Sequence, residues 1–102
     1  MTDMLRDMPD VKAAVCYNDL VAFGALSALG DRGLRAGDGF ALMGFDNVLA
    51  AAHANPPLST VDVQAAALGE RAAELLLSRI REPEGPRQRY LGEPRLVLRQ
   101  SA

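Results

Sequence analysis

Twice in this chain an apolar stretch runs into an aromatic residue followed by two Asx residues: Ala13-Ala14-Val15-Cys16-Tyr17 leads to Asn18-Asp19, and Phe40-Ala41-Leu42-Met43-Gly44-Phe45 leads to Asp46-Asn47. Nearly unbroken apolar runs of this length are what strands covered on both faces require. The pattern predicts an α/β architecture, a mainly parallel sheet with flanking helices. In such sheets ligands bind in the crevice outside the carboxyl ends of the strands. Asn and Asp at two strand ends supply amide donors and carboxylate acceptors, which matches the mixed donor and acceptor demand of sugar hydroxyls.

A chain of 102 residues has room for one small domain but not for two independent cores. No apolar run approaches the roughly 20 residues that a bilayer helix needs, so no membrane partner is expected. The formal net charge is −2, and ten of the eleven basic residues are scattered arginines. With no basic patch and no helix-turn-helix-like segment before the first strand, this polypeptide alone is not expected to grip DNA. The first residues, Met1 to Asp7, lack a basic stretch followed by an apolar core. They do not read as a secretory signal, and a cytoplasmic location is the expectation. Cys16 is the single cysteine. It has no partner for an internal disulfide and is expected to pack as a small hydrophobe.

Met4, Leu5 and Met8 share a helical face before Pro9-Asp10, and Lys12 to Tyr17 reads as a central strand. Asn18 or Asp19 then caps a helix whose apolar faces are made by Leu20, Phe23 and Leu26 with Val21, Ala25 and Ala28, and which Gly33 closes. Gly37-Asp38-Gly39 is a flexible turn into the second strand, Phe40 to Phe45. A short helix over Val48 to Ala54 is stopped by Asn55-Pro56-Pro57, and Leu58 to Val63 reads as a third strand beside the other two. From Ala65, Leu68, Ala72, Leu75, Leu76 and Ile80 recur at helical spacing. Gln88 to Leu91 and Leu96 to Leu98 read as short late strands.

Each candidate site residue has a local role that competes with a functional one. Asn18 serves as an N-cap, a ligand contact, or both. Asp46 is a turn residue or a pocket residue. Asp19 suits the helix start through the macrodipole. A small enzyme using Asp19 and Asp46 as an acid–base pair is the alternative from a different class. It would need a nucleophile, a perturbed base or a metal within reach, and the sequence offers none in a credible arrangement. His53 has no second ligand at metal spacing, so no metal or cofactor is expected. Glu70, Arg71 and Glu74 form a solvated face with an Arg71 to Glu74 pairing.

Five ordered blocks resemble the lactose-repressor (LacI/GalR) family of bacterial transcription regulators. They are Asn18-Asp19-Leu20-Val21-Ala22-Phe23-Gly24-Ala25, Gly33-Leu34-Arg35, Met43-Gly44-Phe45-Asp46-Asn47, Pro56-Pro57-Leu58-Ser59-Thr60-Val61 and the closing Leu96-Val97-Leu98-Arg99-Gln100-Ser101. The resemblance implies a partial periplasmic-binding-protein type I fold over residues 1–102, the C-terminal part of a sensor that binds a sugar or nucleoside effector and dimerises. It implies a lobe core over 9–63, a segment over 64–92 that crosses to the other lobe, and a closing strand over 93–102. Asn18 and Asp46 match the family's effector contacts, with Phe45 beside them. Phe23, Asn55, Pro56, Pro57 and Leu58 fall where the family's sensor lobes meet in a homodimer, and operator DNA is reached only through an N-terminal domain that this chain lacks. Val63 stands where many members place a Gln near the lobe crossing, which removes one polar effector contact. Gly37 and Gly39 replace a Pro and an acidic residue, which should loosen that turn. An exported sugar-binding protein of the same fold, serving a transporter, is the other alternative; a signal peptide upstream would mark it, as a helix-turn-helix would mark a regulator. The resemblance also implies that the apolar face of the helix ending near Ile80 belongs against strands outside this chain. That face is expected to find another home, folded back beside Phe23 and Leu26 or, as favoured here, in a second copy.

Overall fold

In a computed structural model describing residues 1–102, the chain forms three α-helices and five short strands. They follow in the order α1 (Thr2–Asp7), β1 (Ala13–Val15), α2 (Asp19–Gly30), β2 (Arg35–Ala36), β3 (Gly39–Met43), β4 (Thr60–Asp62), α3 (Ala65–Arg81) and β5 (Arg95–Val97), with a 3₁₀ turn at Leu49–His53 before β4. Strand β3 is central, with β1 and β2 parallel on either side of it. The register sets Ala13 opposite Ala41 and Val15 opposite Met43.

The three expected strands do not form one regular ladder. β4 pairs with β5 in a separate antiparallel ladder, Thr60 opposite Val97 and Asp62 opposite Arg95. It meets the end of β3 only at the parallel Met43–Ser59 bridge and through two backbone bonds, Gly44 N–H to Ser59 O (2.9 Å) and Asp46 N–H to Val61 O (2.9 Å). The physical reason lies in the last residues of the chain. Ser101 sits against the first half of this edge: its carbonyl accepts from Leu42 N–H (2.7 Å), and its hydroxyl donates to Leu42 O (2.7 Å) and accepts from Ser59 N–H (2.8 Å). A serine with all its polar atoms bonded thus replaces ladder bonds, and the strands run on as neighbours beyond it.

Helix α2 covers one face of the sheet. Its buried apolar positions are Ala22, Ala25 and Leu29, with Phe23 and Leu26 packed at the margin. Leu20 and Val21, expected on the apolar face, are exposed. The cap at Asn18 fixes the phase of the helix, and two alanines let its axis lie close to Phe40 and Leu42 in the core. Gly33, at φ +70°, closes the helix as expected, with Leu34 N–H bonded to Leu29 O and Gly33 N–H to Gly30 O, a Schellman pattern. Gly33→Ala is therefore expected to lower stability by about 1 kcal/mol, the cost of a Cβ in the left-handed region. A urea midpoint that falls with an unchanged slope would show it.

Other expectations need correction. β1 is an edge strand rather than a central one, and Val15 is 76 % exposed. The Gly37-Asp38-Gly39 turn is fastened, not loose: Gly37 N–H bonds Phe40 O, both glycines have positive φ, and a Cβ on Gly37 would strike Gln100 O. The short helix after Asn47 is a 3₁₀ turn. Residues 88–91 form no strand; they return along α3, with Gln88 bonded to Ser78 Oγ and the Arg71 guanidinium 5.7 Å from the Tyr90 ring centre. α3 itself does not fold back onto the sheet. It has no buried residue, and the chain is elongated, 58 × 27 × 17 Å with a radius of gyration of 18.4 Å. A compact chain of this length has a radius of about 13 Å. No helix is long and apolar enough to cross a membrane.

Candidate functional site

Tyr17, Asn18, Phe45 and Asp46 line one open cleft of about 350 Å³. The parallel pairing of β1 with β3 puts both strand ends at the same edge of the sheet, so the two aromatic-Asx sequences converge as their repetition implies. The volume is at the small end of the range for small-molecule sites.

Asn18 has extended backbone geometry, and its side-chain Oδ1 accepts from Val21 N–H (2.9 Å). The cap consumes the acceptor; the amide donors have no partner within the chain. The two sequence readings of Asn18 are therefore compatible. Asp46 lies at φ +107° and Asn47 at φ +52°. Positive φ is rare for residues other than glycine and clusters at functional sites, where the surroundings hold the backbone in place. Here the turn is held by Asp46 N–H on Val61 O and by Val48 N–H on Asp19 Oδ2 (2.9 Å). The Asp46 carboxylate is exposed to the cleft and makes no hydrogen bond within the protein. One face of the site thus offers donors, the other acceptors, and Tyr17 and Phe45 supply flat apolar surface.

Asp19 turns away from the cleft. It is wholly buried, with Thr60 Oγ1 donating to Oδ1 (2.6 Å) and Val48 N–H to Oδ2. An acid–base pair with Asp46 is not formed, because Asp19 is sealed from solvent and each of its carboxylate oxygens is held by a hydrogen bond on the inner side. Asn47 also points inward: its Oδ1 accepts from Arg99 (2.8 Å), whose other nitrogen donates to Leu58 O (2.7 Å). Sequence reasoning missed this inner set of Asp19, Asn47, Thr60 and Arg99. Each Asx pair sends its first member to the cleft and its second into the protein, a division the residue types do not signal, since Asp is the second member of one pair and the first of the other.

The residues expected at a dimer contact divide. Leu58 belongs to the core and Pro56 is buried, so neither side chain has surface to offer a partner; Pro57 and Phe23 are half-exposed and Asn55 is exposed. His53 lies at the end of the 3₁₀ turn, and no three His, Cys, Asp or Glu side chains come together as metal ligands. Cys16 is half-buried just past β1, and burial pushes its thiol pKa up, partly offset by the positive N-terminus. It is held neutral and poorly nucleophilic.

All of residues 1–102 match the periplasmic binding protein-like domain. The chain belongs to that family, in its LacI/GalR branch. It is 41 % identical over 97 residues to the HTH-type transcriptional repressor PurR of Mannheimia succiniciproducens, covering 95 % of this chain and 28 % of the relative. A LacI-type transcription regulator from Bifidobacterium animalis subsp. lactis superposes with a TM-score of 0.88 at 37 % identity, over 98 % of this chain and 36 % of that one. The transcriptional regulator CelR in complex with cellobiose gives a TM-score of 0.91 at 32 % identity, over 98 % and 31 %. The chain therefore spans about a third or less of the length of these relatives. The sheet and helices follow the fold of LacI-type transcription regulators.

Proposed function

We propose that these residues are the effector-sensing part of a cytoplasmic transcriptional regulator of the LacI type, without catalytic activity, taking a sugar or sugar-like small molecule between Asn18 and Asp46. The observation that carries the reading is the cleft itself. Two strand ends deliver unpartnered amide donors and an unpartnered carboxylate to one place, flanked by aromatic rings. A polyol needs that mixture; an apolar ligand would leave the carboxylate desolvated and unpaired, which is costly. The relative bound to cellobiose supports the sugar class. Contact with operator DNA is assigned to a separate domain, in keeping with this chain's net charge of −2. Homodimer contacts fall to Phe23, Asn55 and Pro57, with Pro56 and Leu58 supporting them from beneath.

Calorimetric titration of the full-length protein with ribose, cellobiose, lactose and adenine tests the ligand class. Saturable binding of one sugar, weakened several-fold by Asn18→Ala, is expected. Binding of adenine alone would reassign the class, and sugar binding indifferent to Asn18 would move the site elsewhere. The same substitution should lower stability by about 1 kcal/mol through the lost cap.

A further inference from the structure

We infer that Asp19 is a positioning residue for the effector cleft: its buried carboxylate fixes where Asp46 stands relative to Asn18. The inference rests on Asn18 and Asp46 being the effector contacts.

Asp19 directly follows Asn18 at the start of α2, and one of its oxygens holds Val48 N–H, two residues beyond Asp46. The other oxygen accepts from Thr60 Oγ1 in β4, and the same hydroxyl oxygen receives Asn47 N–H (3.3 Å). A third tie runs the other way, from Asp19 N–H to Phe45 O (2.9 Å). One residue thus fastens the helix bearing the first effector contact to both flanks of the turn bearing the second. Asp46 needs such fastening, because its φ of +107° is not a conformation an aspartate adopts without restraint. The site is also shaped for the carboxylate. A Cβ at Gly44 would collide with Asp19 Oδ1 and press on Leu58, so glycine at that position leaves the space that Asp19 fills. From the far side Arg99 holds Asn47 Oδ1, so the turn is gripped by two independent elements. The side chain is wholly buried with each oxygen held by one hydrogen bond, and the geometry of those bonds sets the spacing of the cleft's two polar walls.

The test uses the full-length protein and two readouts. Without any sugar, amide hydrogen exchange at Asp46 and Val48 should speed up by about tenfold or more in Asp19→Ala, while Cys16 and Leu42 in the β1–β3 region keep their protection. Affinity for whichever sugar the wild type takes should fall by a comparable factor. Asp19→Asn keeps an acceptor for Val48 N–H and can donate to Thr60, so it should restore both readouts to within about threefold. Should Asp19→Ala fail to fold, Thr60→Val removes one tie without changing the side chain's shape and should loosen Asp46 in the same direction. Unchanged exchange at Asp46 and Val48, loss of protection spread equally over the sheet, or a loosened turn with unchanged sugar affinity would each overturn the inference. Failure of the effector reading looks different: Asp46 variants would leave sugar binding intact, while the exchange data would still report whether Asp19 holds the turn.

Discussion

Replacing Asp46 with alanine is expected to weaken effector binding by about 1 to 3 kcal/mol, a roughly 5- to 150-fold loss of affinity, because ligand hydroxyls that donate to the carboxylate would be buried without an acceptor. The carboxylate makes no hydrogen bond in the chain and contributes nothing else to the fold that its loss would remove. Backbone effects can be separated from side-chain effects. At φ +107° an alanine is as constrained as the aspartate, whereas a glycine is relaxed. Asp46→Gly should therefore lose binding to a similar degree while matching or exceeding the wild type in thermal stability. Asp46→Asn retains one acceptor and should fall between. The measurement is a titration of each variant with the sugar that the wild-type protein binds, alongside its unfolding midpoint. A wild-type affinity in Asp46→Ala would remove this residue from the site.

The convergence of Tyr17-Asn18 with Phe45-Asp46 was legible because parallel strands of similar length, each followed by polar turn residues, end at one edge of their sheet. What each second Asx does was not legible. Asp19 and Asp46 are the same residue type in the same kind of turn, yet one is sealed and the other open. The difference is set by Thr60 and Val48, which lie 41 and 29 residues away from Asp19. Helix α2 shows a related limit. Nearly all its residues are apolar, so periodicity could not say which face meets the sheet. The cap at Asn18 and the small size of Ala22 and Ala25 decide it. The split between the two ladders was hidden for another reason: it depends on Ser101, a terminal residue whose hydroxyl and carbonyl replace strand bonds. Sequence patterns report which segments can be strands, and a distant side chain determines where the ladder is interrupted.

The 102-residue chain in isolation is expected to self-associate through α3, and Leu76→Glu with Ile80→Lys should return it to a monomer. Leu76 and Ile80 are 61 % and 64 % exposed, with Leu77 beside them, on a helix that buries none of its residues. The returning segment covers part of this helix: Gly92 approaches Leu68, and Gly85 and Pro86 lie beside Leu75. It leaves the Leu76 and Ile80 side uncovered. Full burial of a Leu or Ile contributes about 1.5 to 3 kcal/mol, so three such side chains, each somewhat more than half exposed, leave roughly 3 to 5 kcal/mol of stabilisation unrealised in the monomer. That is comparable to the whole stability of many small domains. A second copy offers the same apolar stripe in a self-complementary arrangement, the usual basis of a two-fold dimer. In sedimentation velocity the wild-type chain should populate a dimer whose fraction rises with concentration, and the doubly substituted chain should not. A wild-type chain that remains monomeric at high concentration, with α3 protected from hydrogen exchange, would mean that the helix buries this face against its own sheet, contrary to the extended arrangement of residues 64–92.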